Sequence, residues 1–456
     1  MSNSDTYRCL WDDEPSSRVP ELASPDDGYD VVIVGAGFTG LWTALYLTDL
    51  NPQLSIAIID RERAGFGASG RNGGWCSAML PMGMSAIARM SSVEQAVAMQ
   101  TAMNDTVAHI GRETDRLGIS CDYSKGGTIE VARSIPQLER ARHRVHSSQD
   151  HPCFELRLLD SHQVARITGV SRALGGVFDP FCAALHPGKL VRGLAEVVRL
   201  RGVQIVEHCR VYAIESHRVH LEDRVIEAKV IVRATEGFTS SLRKQRRELL
   251  PIHSLMIATE PLEQRQLNEV GLTDRTTFSD GRHMIVYGQR TADGRIAFGG
   301  RGAPYHFGSS TDLRHSTSGR VADMLRETLI DMFPSLASTR FTHHWGGPLG
   351  AARDWQCSVS FDAKSGLAAA GGYVGDGVAT TNLAGRTIAH LIVGTDDPIT
   401  RLPWVGHRSR RWEPEPIRWM AVNAMTAVAR MSDSQERRRN SEARIMTAVL
   451  DRLTGG

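Results

Sequence analysis

Three glycines sit in Asp30-Val31-Val32-Ile33-Val34-Gly35-Ala36-Gly37-Phe38-Thr39-Gly40, between an apolar run and the helix-spaced stretch that starts Leu41-Trp42-Thr43-Ala44. A strand, a glycine turn and a helix in that order gather free backbone N–H groups and the positive end of a helix dipole at one point. That arrangement suits a pyrophosphate. Gly35 permits the tight turn, Gly37 lets a phosphate approach the backbone, and Gly40 lets the helix pack close to the strand. Phe38 and Thr39 lie between them, in the first turn of the helix. A second strand, Ser55-Ile56-Ala57-Ile58-Ile59, ends at Asp60. It lies about 20 residues past Gly40, where a carboxylate accepts hydrogen bonds from ribose hydroxyls. A G-x-G-x-x-G spacing also occurs in purely structural turns. Here the strand before it, the helix after it and the acid at the expected distance point to a dinucleotide.

Two further glycine-rich stretches fit that reading. Gly65-Phe66-Gly67-Ala68-Ser69-Gly70-Arg71-Asn72-Gly73-Gly74 follows the ribose acid. Such a loop buries no core of its own. It can carry backbone donors, a guanidinium and an amide to a flat polar ligand; the alternative is a flexible surface loop. Near the C-terminus, Gly371-Gly372-Tyr373-Val374-Gly375-Asp376-Gly377-Val378-Ala379-Thr380 reads as a strand–turn–helix junction. An isoalloxazine ring gains negative charge near N1 and C2=O on reduction, and a helix N-terminus stabilises charge there. A phosphate turn early in the chain and a flavin turn late in it imply an extended FAD held at each end by distant sequence.

These motifs need a large scaffold. A chain of 456 residues is expected to form two domains. The formal charge of +2, with no long basic stripe, argues against a nucleic-acid partner. The seven cysteines are scattered, with no C-x-x-C, which argues against a disulfide framework or a zinc site and suits a reducing cytoplasm. Cys76, after the glycine loop, reads as a buried free thiol rather than a covalent flavin link. No run of about 18 apolar residues is present to span a membrane, and the polar N-terminus has no signal core. Helices are expected at 92–117, 137–148, 190–200, 319–332 and 383–393. Strands are expected at 127–132, 203–206, 211–214, 219–221, 229–234, 254–259, 283–287, 295–300 and 367–372, with a hairpin turn at Asp293-Gly294. The tail after Trp404 carries two helical stretches, and its Arg437-Arg438-Arg439 reads as a solvated helix face.

The loop G-A-S-G-R-N-G-G from Gly67 to Gly74 resembles the hallmark of the D-amino-acid oxidase-like (DAO) FAD oxidoreductases. It is most similar to the branch containing γ-glutamylputrescine oxidase and related amine-oxidising flavoproteins. Leu185-His186-Pro187-Gly188-Lys189-Leu190-Val191, Ala234-Thr235-Glu236-Gly237-Phe238-Thr239 and Trp345-Gly346-Gly347 share the resemblance, which runs from about Asp30 to Gly394. It implies an α/β fold with a discontinuous Rossmann-like FAD-binding domain, an inserted antiparallel-sheet (α+β) substrate domain and a helical C-terminal tail. The matching boundaries are an N-terminal arm at 1–28, lying over the surface, and an FAD-binding domain at 29–90, 160–250 and 340–400. The substrate domain takes 91–159 and 251–339, and the extension 401–456. Cofactor roles carry over to Gly35, Gly37, Gly40, Asp60, Arg61, Ser69, Arg71, Asn72, Gly73, Val211, Ala234, Gly346, Gly375, Gly377, Val378 and Thr380. Phe38, Thr39, Gly74 and Asp376 complete the set from the motifs themselves. The family often has Glu where this chain has Asp60, and Asn where it has Glu236; the second change alters the local charge.

The resemblance implies noncovalent FAD and oxidation of a C–N bond. A hydride leaves the α-carbon for flavin N5, and the imine is hydrolysed to a carbonyl. Amino-acid-oxidising relatives hold the substrate carboxylate with an arginine, often soon after the Trp-Gly-Gly segment. Here the nearest is Arg353, with Arg301 a second candidate, and neither matches cleanly, which favours a small amine. Some amine-oxidising relatives place a lysine over the flavin to activate O₂, but no lysine lies between Pro251 and Asp362. The acceptor is then O₂ through another cation, such as His253 or His344, or a quinone or electron-transfer protein. Pocket candidates are His253, His283, Tyr287, Arg301 and Tyr305. An amino-acid oxidase or dehydrogenase on the same scaffold and a flavin monooxygenase are the alternatives. No metal site is expected, and the oligomeric state is left open.

Overall fold

The structure, a computed structural model, describes residues 7–13, 25–301, 305–316 and 318–439; the side chains of Arg301, Ser316, Arg437 and Arg439 lie outside the described part. The first sheet is built on Gly28–Val34, whose last four residues are buried on both faces. It pairs in parallel with Ile56–Ile59 on one side and Val225–Arg233 on the other. Gln204–Val206 and Leu367–Gly371 extend it in parallel, and Ser358–Asp362 closes one edge antiparallel. A short antiparallel meander, Ala213–Glu215 and Arg218–His220, hangs from Val225–Arg233. Near-continuous Val and Ile runs suit a sheet covered on both sides. Helices Phe38–Leu50, Val93–Arg116, Pro187–Leu200 and Gly377–Val393 cover one face, with Ile33, Leu41, Trp42, Met103, Leu194 and Leu383 in their shared core.

The second sheet has eight strands in the order Phe341–Ala351, Leu250–Thr259, Ile296–Arg301, Val286–Arg290, Thr277–Asp280, Thr128–Ala132, Gly175–Asp179 and Arg157–Asp160. It is mixed rather than purely antiparallel, because Thr277–Asp280 runs parallel to Thr128–Ala132. Helix Gly319–Met332 lies on one face over Leu255, Ile257, Phe278 and Phe298. Helix Ile417–Arg439 follows in the tail; residues 440–456 lie outside the described part. Among the described residues, no helix is long and apolar enough to cross a membrane.

Several sequence expectations shift. Gly175–Asp179 and Phe341–Ala351 lie in stretches assigned to the cofactor domain, yet both pair in the second sheet. Neither shows a clean apolar alternation, and the second contains Trp345-Gly346-Gly347-Pro348, which reads as loop. The strand expected at 283–287 forms at Val286–Arg290. The N–H groups of His283 and Met284 are taken by the Asp433 carboxylate of the tail helix (2.7 and 2.8 Å), so they join no ladder. The N-terminal arm is no surface strap where it is described. Cys9, Leu10 and Trp11 are buried, in one cluster with Met256, Ala258, Ala297 and Trp345.

Candidate active site

An elongated cleft, partly open to solvent, runs along the carboxyl ends of the first sheet's strands. This is the place an open α/β sheet offers a ligand. Gly35 opens it with a φ of 114°, in the region that favours glycine. A methyl group on Gly40 would stand 2.0 Å from the Gly35 carbonyl oxygen, so only glycine lets the helix Phe38–Leu50 start there. Its cap residue Gly37 offers no side-chain acceptor to the first N–H groups. Ser69 Oγ accepts from Phe38 N–H at 2.8 Å and joins this turn to the glycine loop.

Asp60 braces the turn. Its carboxylate accepts from the N–H of Ala36 (2.7 Å) and of Glu62 (2.8 Å). Burial pushes the carboxyl up to about 6, against the pull of those two N–H groups and Arg61. Arg61 lies over the Phe238 ring at 5.2 Å on the same wall. At the other end, helix Gly377–Val393 also starts without a side-chain cap, from Asp376. Gly375, Gly377 and Val378 line the cleft there, and the Thr380 hydroxyl turns back to the Asp376 carbonyl. Tyr373 Oη and Thr39 Oγ1, 3.0 Å apart, tie the two helix starts together. Two uncapped helix N-termini facing one elongated cleft, with a carboxylate beside the first, fit an extended dinucleotide with a flavin at its far end.

The glycine loop is gripped by the second sheet and the N-terminal arm packed on it. The carbonyls of Arg71, Asn72 and Gly73 accept, in turn, from Trp345 Nε1 (2.9 Å), Trp11 Nε1 (2.7 Å) and Gln289 Nε2 (2.7 Å). Arg71 Nε donates to the Phe66 carbonyl at 2.8 Å, and its Nη1 reaches Tyr7 Oη at 3.4 Å. Asn72 folds back onto Ala68 and Ser69 and holds Gly74 N–H. Of the residues expected at the cofactor, Gly35, Gly37, Phe38, Thr39, Asp60, Arg61, Ser69, Asn72, Val211, Ala234, Gly375, Gly377 and Val378 line the cleft. Gly40, Arg71, Gly73, Gly74, Gly346, Asp376 and Thr380 are not among its lining residues. The sequence reading missed Cys209, Arg210, Phe238, Pro348, Leu349 and Tyr373 on the wall. All but Cys209 and Arg210 belong to or adjoin stretches already singled out; those two carry no signal beyond standing next to Val211.

The pocket candidates scatter. Tyr287 is at the loop: its ring would meet a methyl on Gly73 at 2.4 Å, its hydroxyl is 3.3 Å from Ser254 Oγ, and Trp75 packs edge-on against it. His253 is one residue from Ser254 and so points to the opposite face of the strand. It packs with His306 and His315 instead, and its Nε2 is 3.2 Å from the Ser310 carbonyl. Burial holds its imidazole at about 4, so it is neutral at pH 7. His283 lies 3.1 Å from Glu436 on the tail helix, away from Tyr287. Tyr305 donates to Glu415 at 2.7 Å. Arg301 pairs with Ser254 through its backbone; its side chain lies outside the described part. Arg353 is held by Glu413 (3.0 and 3.1 Å) and lies over Trp412. Cys76 is fully buried and off the cleft.

The family model "FAD dependent oxidoreductase" (DAO) matches residues 30–391, and the chain belongs to that family. It is an FAD-dependent oxidoreductase. Among curated proteins it is 28% identical over 389 residues to "Probable oxidoreductase OrdL" of Haemophilus influenzae, covering 81% of this chain and 84% of that one. It is 27% identical over 377 residues to γ-glutamylputrescine oxidoreductase of Escherichia coli, covering 80% and 84%. Glycine oxidase from Geobacillus kaustophilus shares the fold, with a TM-score of 0.72 at 17% identity over 84% of this chain and all of that one.

Proposed function

We propose that this enzyme oxidises the C–N bond of a small amine and passes the electrons to O₂ or another acceptor. The observation that carries the amine over an α-amino acid is the state of Arg353. It is the first arginine after the Trp-Gly-Gly segment in the sequence, and it is already paired with Glu413 rather than free to clamp a carboxylate. The 27% identity to an enzyme named for a γ-glutamylated diamine supports the same choice.

FAD supplies the acceptor for the hydride that leaves the carbon beside nitrogen. The chain's own residues supply shape. Tyr287, Trp75, Met256 and Ser254 form an aromatic and apolar wall against Gly73, where bulk water is excluded and a C–H bond can be oriented. His253 and His283 are engaged elsewhere, so proton loss falls to the substrate ammonium, which must be neutral for its lone pair to assist. FAD is held without a covalent bond, since Cys76 is buried away from the cleft. Seven cysteines, all unpaired, fit a reducing cytoplasm.

The test is anaerobic mixing of holoenzyme with amines, polyamines and amino acids, followed by air. Bleaching by an amine is expected. Bleaching by amino acids alone would move the enzyme to the amino-acid oxidases. Fast bleaching by NADH or NADPH alone would make it a monooxygenase.

A further inference from the structure

Glu236 stands where the resembling family carries Asn, and its surroundings show what a carboxylate does there. It follows the strand Val225–Arg233 with a φ of 39°, a left-handed conformation that a β-substituted residue adopts only when held. Its side chain points inward between three segments. Oε1 accepts from Gly350 N–H (3.2 Å) and Tyr373 N–H (3.1 Å), and Oε2 from Gly372 N–H (2.9 Å). Gly350 comes from the second sheet, whereas Gly372 and Tyr373 begin the turn into helix Gly377–Val393. A methyl on Gly350 or Gly371 would stand 2.9 or 2.8 Å from the carboxyl group, so both glycines make room for it. Glu236 itself lines the cleft.

We propose that Glu236 is the positioning residue of the flavin end: its ionised carboxylate locks the Gly372–Gly377 turn to both sheets and so presets the helix N-terminus that faces FAD. Only the anion has acceptors for all three donors. Replacement by Gln leaves one oxygen able to accept and sets an N–H₂ against a backbone N–H, and protonation puts an O–H on one oxygen and weakens it as an acceptor. Burial raises this carboxyl to about 7, so the change of state falls within the working range. The titratable groups that act on it are Arg233, itself paired with Glu248, and, from its neighbours, Tyr373 and Cys357.

The proposal rests on FAD as the resident group, and its experiment has one arm that does not. Full-length holoenzyme is diluted at pH 5.5 to 8.5 and released FAD is read by fluorescence, for wild type, E236Q and D60N. Wild-type affinity is expected to fall as pH drops through about 7. E236Q is expected to bind FAD at least tenfold more weakly at pH 8.5 and to lose that upper limb, keeping only the limb near pH 6 that belongs to Asp60. D60N should show the reverse. An E236Q protein with wild-type affinity and an unchanged upper limb overturns the proposal. The second arm follows hydrogen exchange in wild-type protein stripped of flavin. Protection of the amides of Gly372 and Tyr373 at pH 8.5 should exceed that in stripped E236Q, and equal protection in the two proteins also overturns it. Absence of FAD from wild type would instead strike the cofactor assignment.

Discussion

Replacing Asp60 with Asn tests the phosphate end of the site. In the structure Asp60 bonds to the backbone on both sides of the turn, at Ala36 and Glu62. Asn keeps one acceptor oxygen and puts an N–H where the other was. One hydrogen bond to a charged group is lost, worth about 1.5–3 kcal/mol. Since each 1.4 kcal/mol is a factor of ten, FAD should bind roughly 10- to 100-fold more weakly. The pH dependence has a definite sign. The folded carboxyl is raised from 3.8 to about 6. Stability from this group is therefore fully present below its unfolded value and is lost as pH rises through about 6. In wild-type protein stripped of FAD, the contribution of Asp60 lowers the melting temperature between pH 4 and 6; in D60N that contribution is absent. FAD binding runs the other way: wild type loses affinity as pH falls through 6, and D60N does not. Titration of flavin fluorescence at several pH values, with parallel thermal melts, decides it. An unchanged dissociation constant in D60N would mean that the turn is set without the carboxylate, and the reasoning fails.

Gly40→Ala places a methyl 2.0 Å from the Gly35 carbonyl oxygen and 3.1 Å from Ile33. The overpacking should cost about 1–3 kcal/mol in a urea melt and release flavin, and a normal midpoint with full flavin content would show that the helix yields freely. Cys209 lines the cleft and is the one cysteine that is not buried. Alkylation of the stripped protein should label it, and added FAD should protect it; equal labelling would put the nucleotide elsewhere. Anaerobic flavin reduction by an amine should speed up with rising pH and do so equally in H253N and H283N. Loss of the pH dependence in either variant would assign the titrating proton to the protein.

The cofactor motifs were legible because each is local. The first turn needs only Gly35, Gly37, Gly40 and an acid after the next strand; Gly35 makes the tight turn and Gly40 the close approach that their spacing implies, while Asp60 holds the backbone of Ala36 and Glu62. The helix Gly319–Met332 was legible for the same reason, since its apolar stripe packs on one sheet face. The strand at 250–259 shows the limit. All but one of its ten residues are buried, so its apolar run does not tell which residues face the cofactor loop and which face the helix. His253 therefore reads as a pocket candidate, although it is the neighbouring Ser254 that meets Tyr287. The strand at 283–287 failed because its first donors are claimed by Asp433, about 150 residues away in sequence.

The same distinction explains why the cofactor could be read and the substrate could not. The nucleotide cleft is drawn by backbone turns whose geometry is encoded within a dozen residues. The grip on the loop at Arg71 to Gly73 is assembled from single side chains brought in from far away: Trp11, 61 residues from Asn72; Gln289, 216 from Gly73; and Trp345, 274 from Arg71. Each supplies one N–H to one carbonyl of the same loop. No periodicity marks such a residue, and Cys9-Leu10-Trp11 is too short an apolar run to stand out among its polar neighbours. Tyr287 sits against Gly73 because this three-point grip holds the loop to the sheet. A substitution among the three should therefore shift the position of the loop relative to Tyr287, altering substrate choice and turnover while the nucleotide turn at Gly35 to Asp60 keeps its hydrogen bonds.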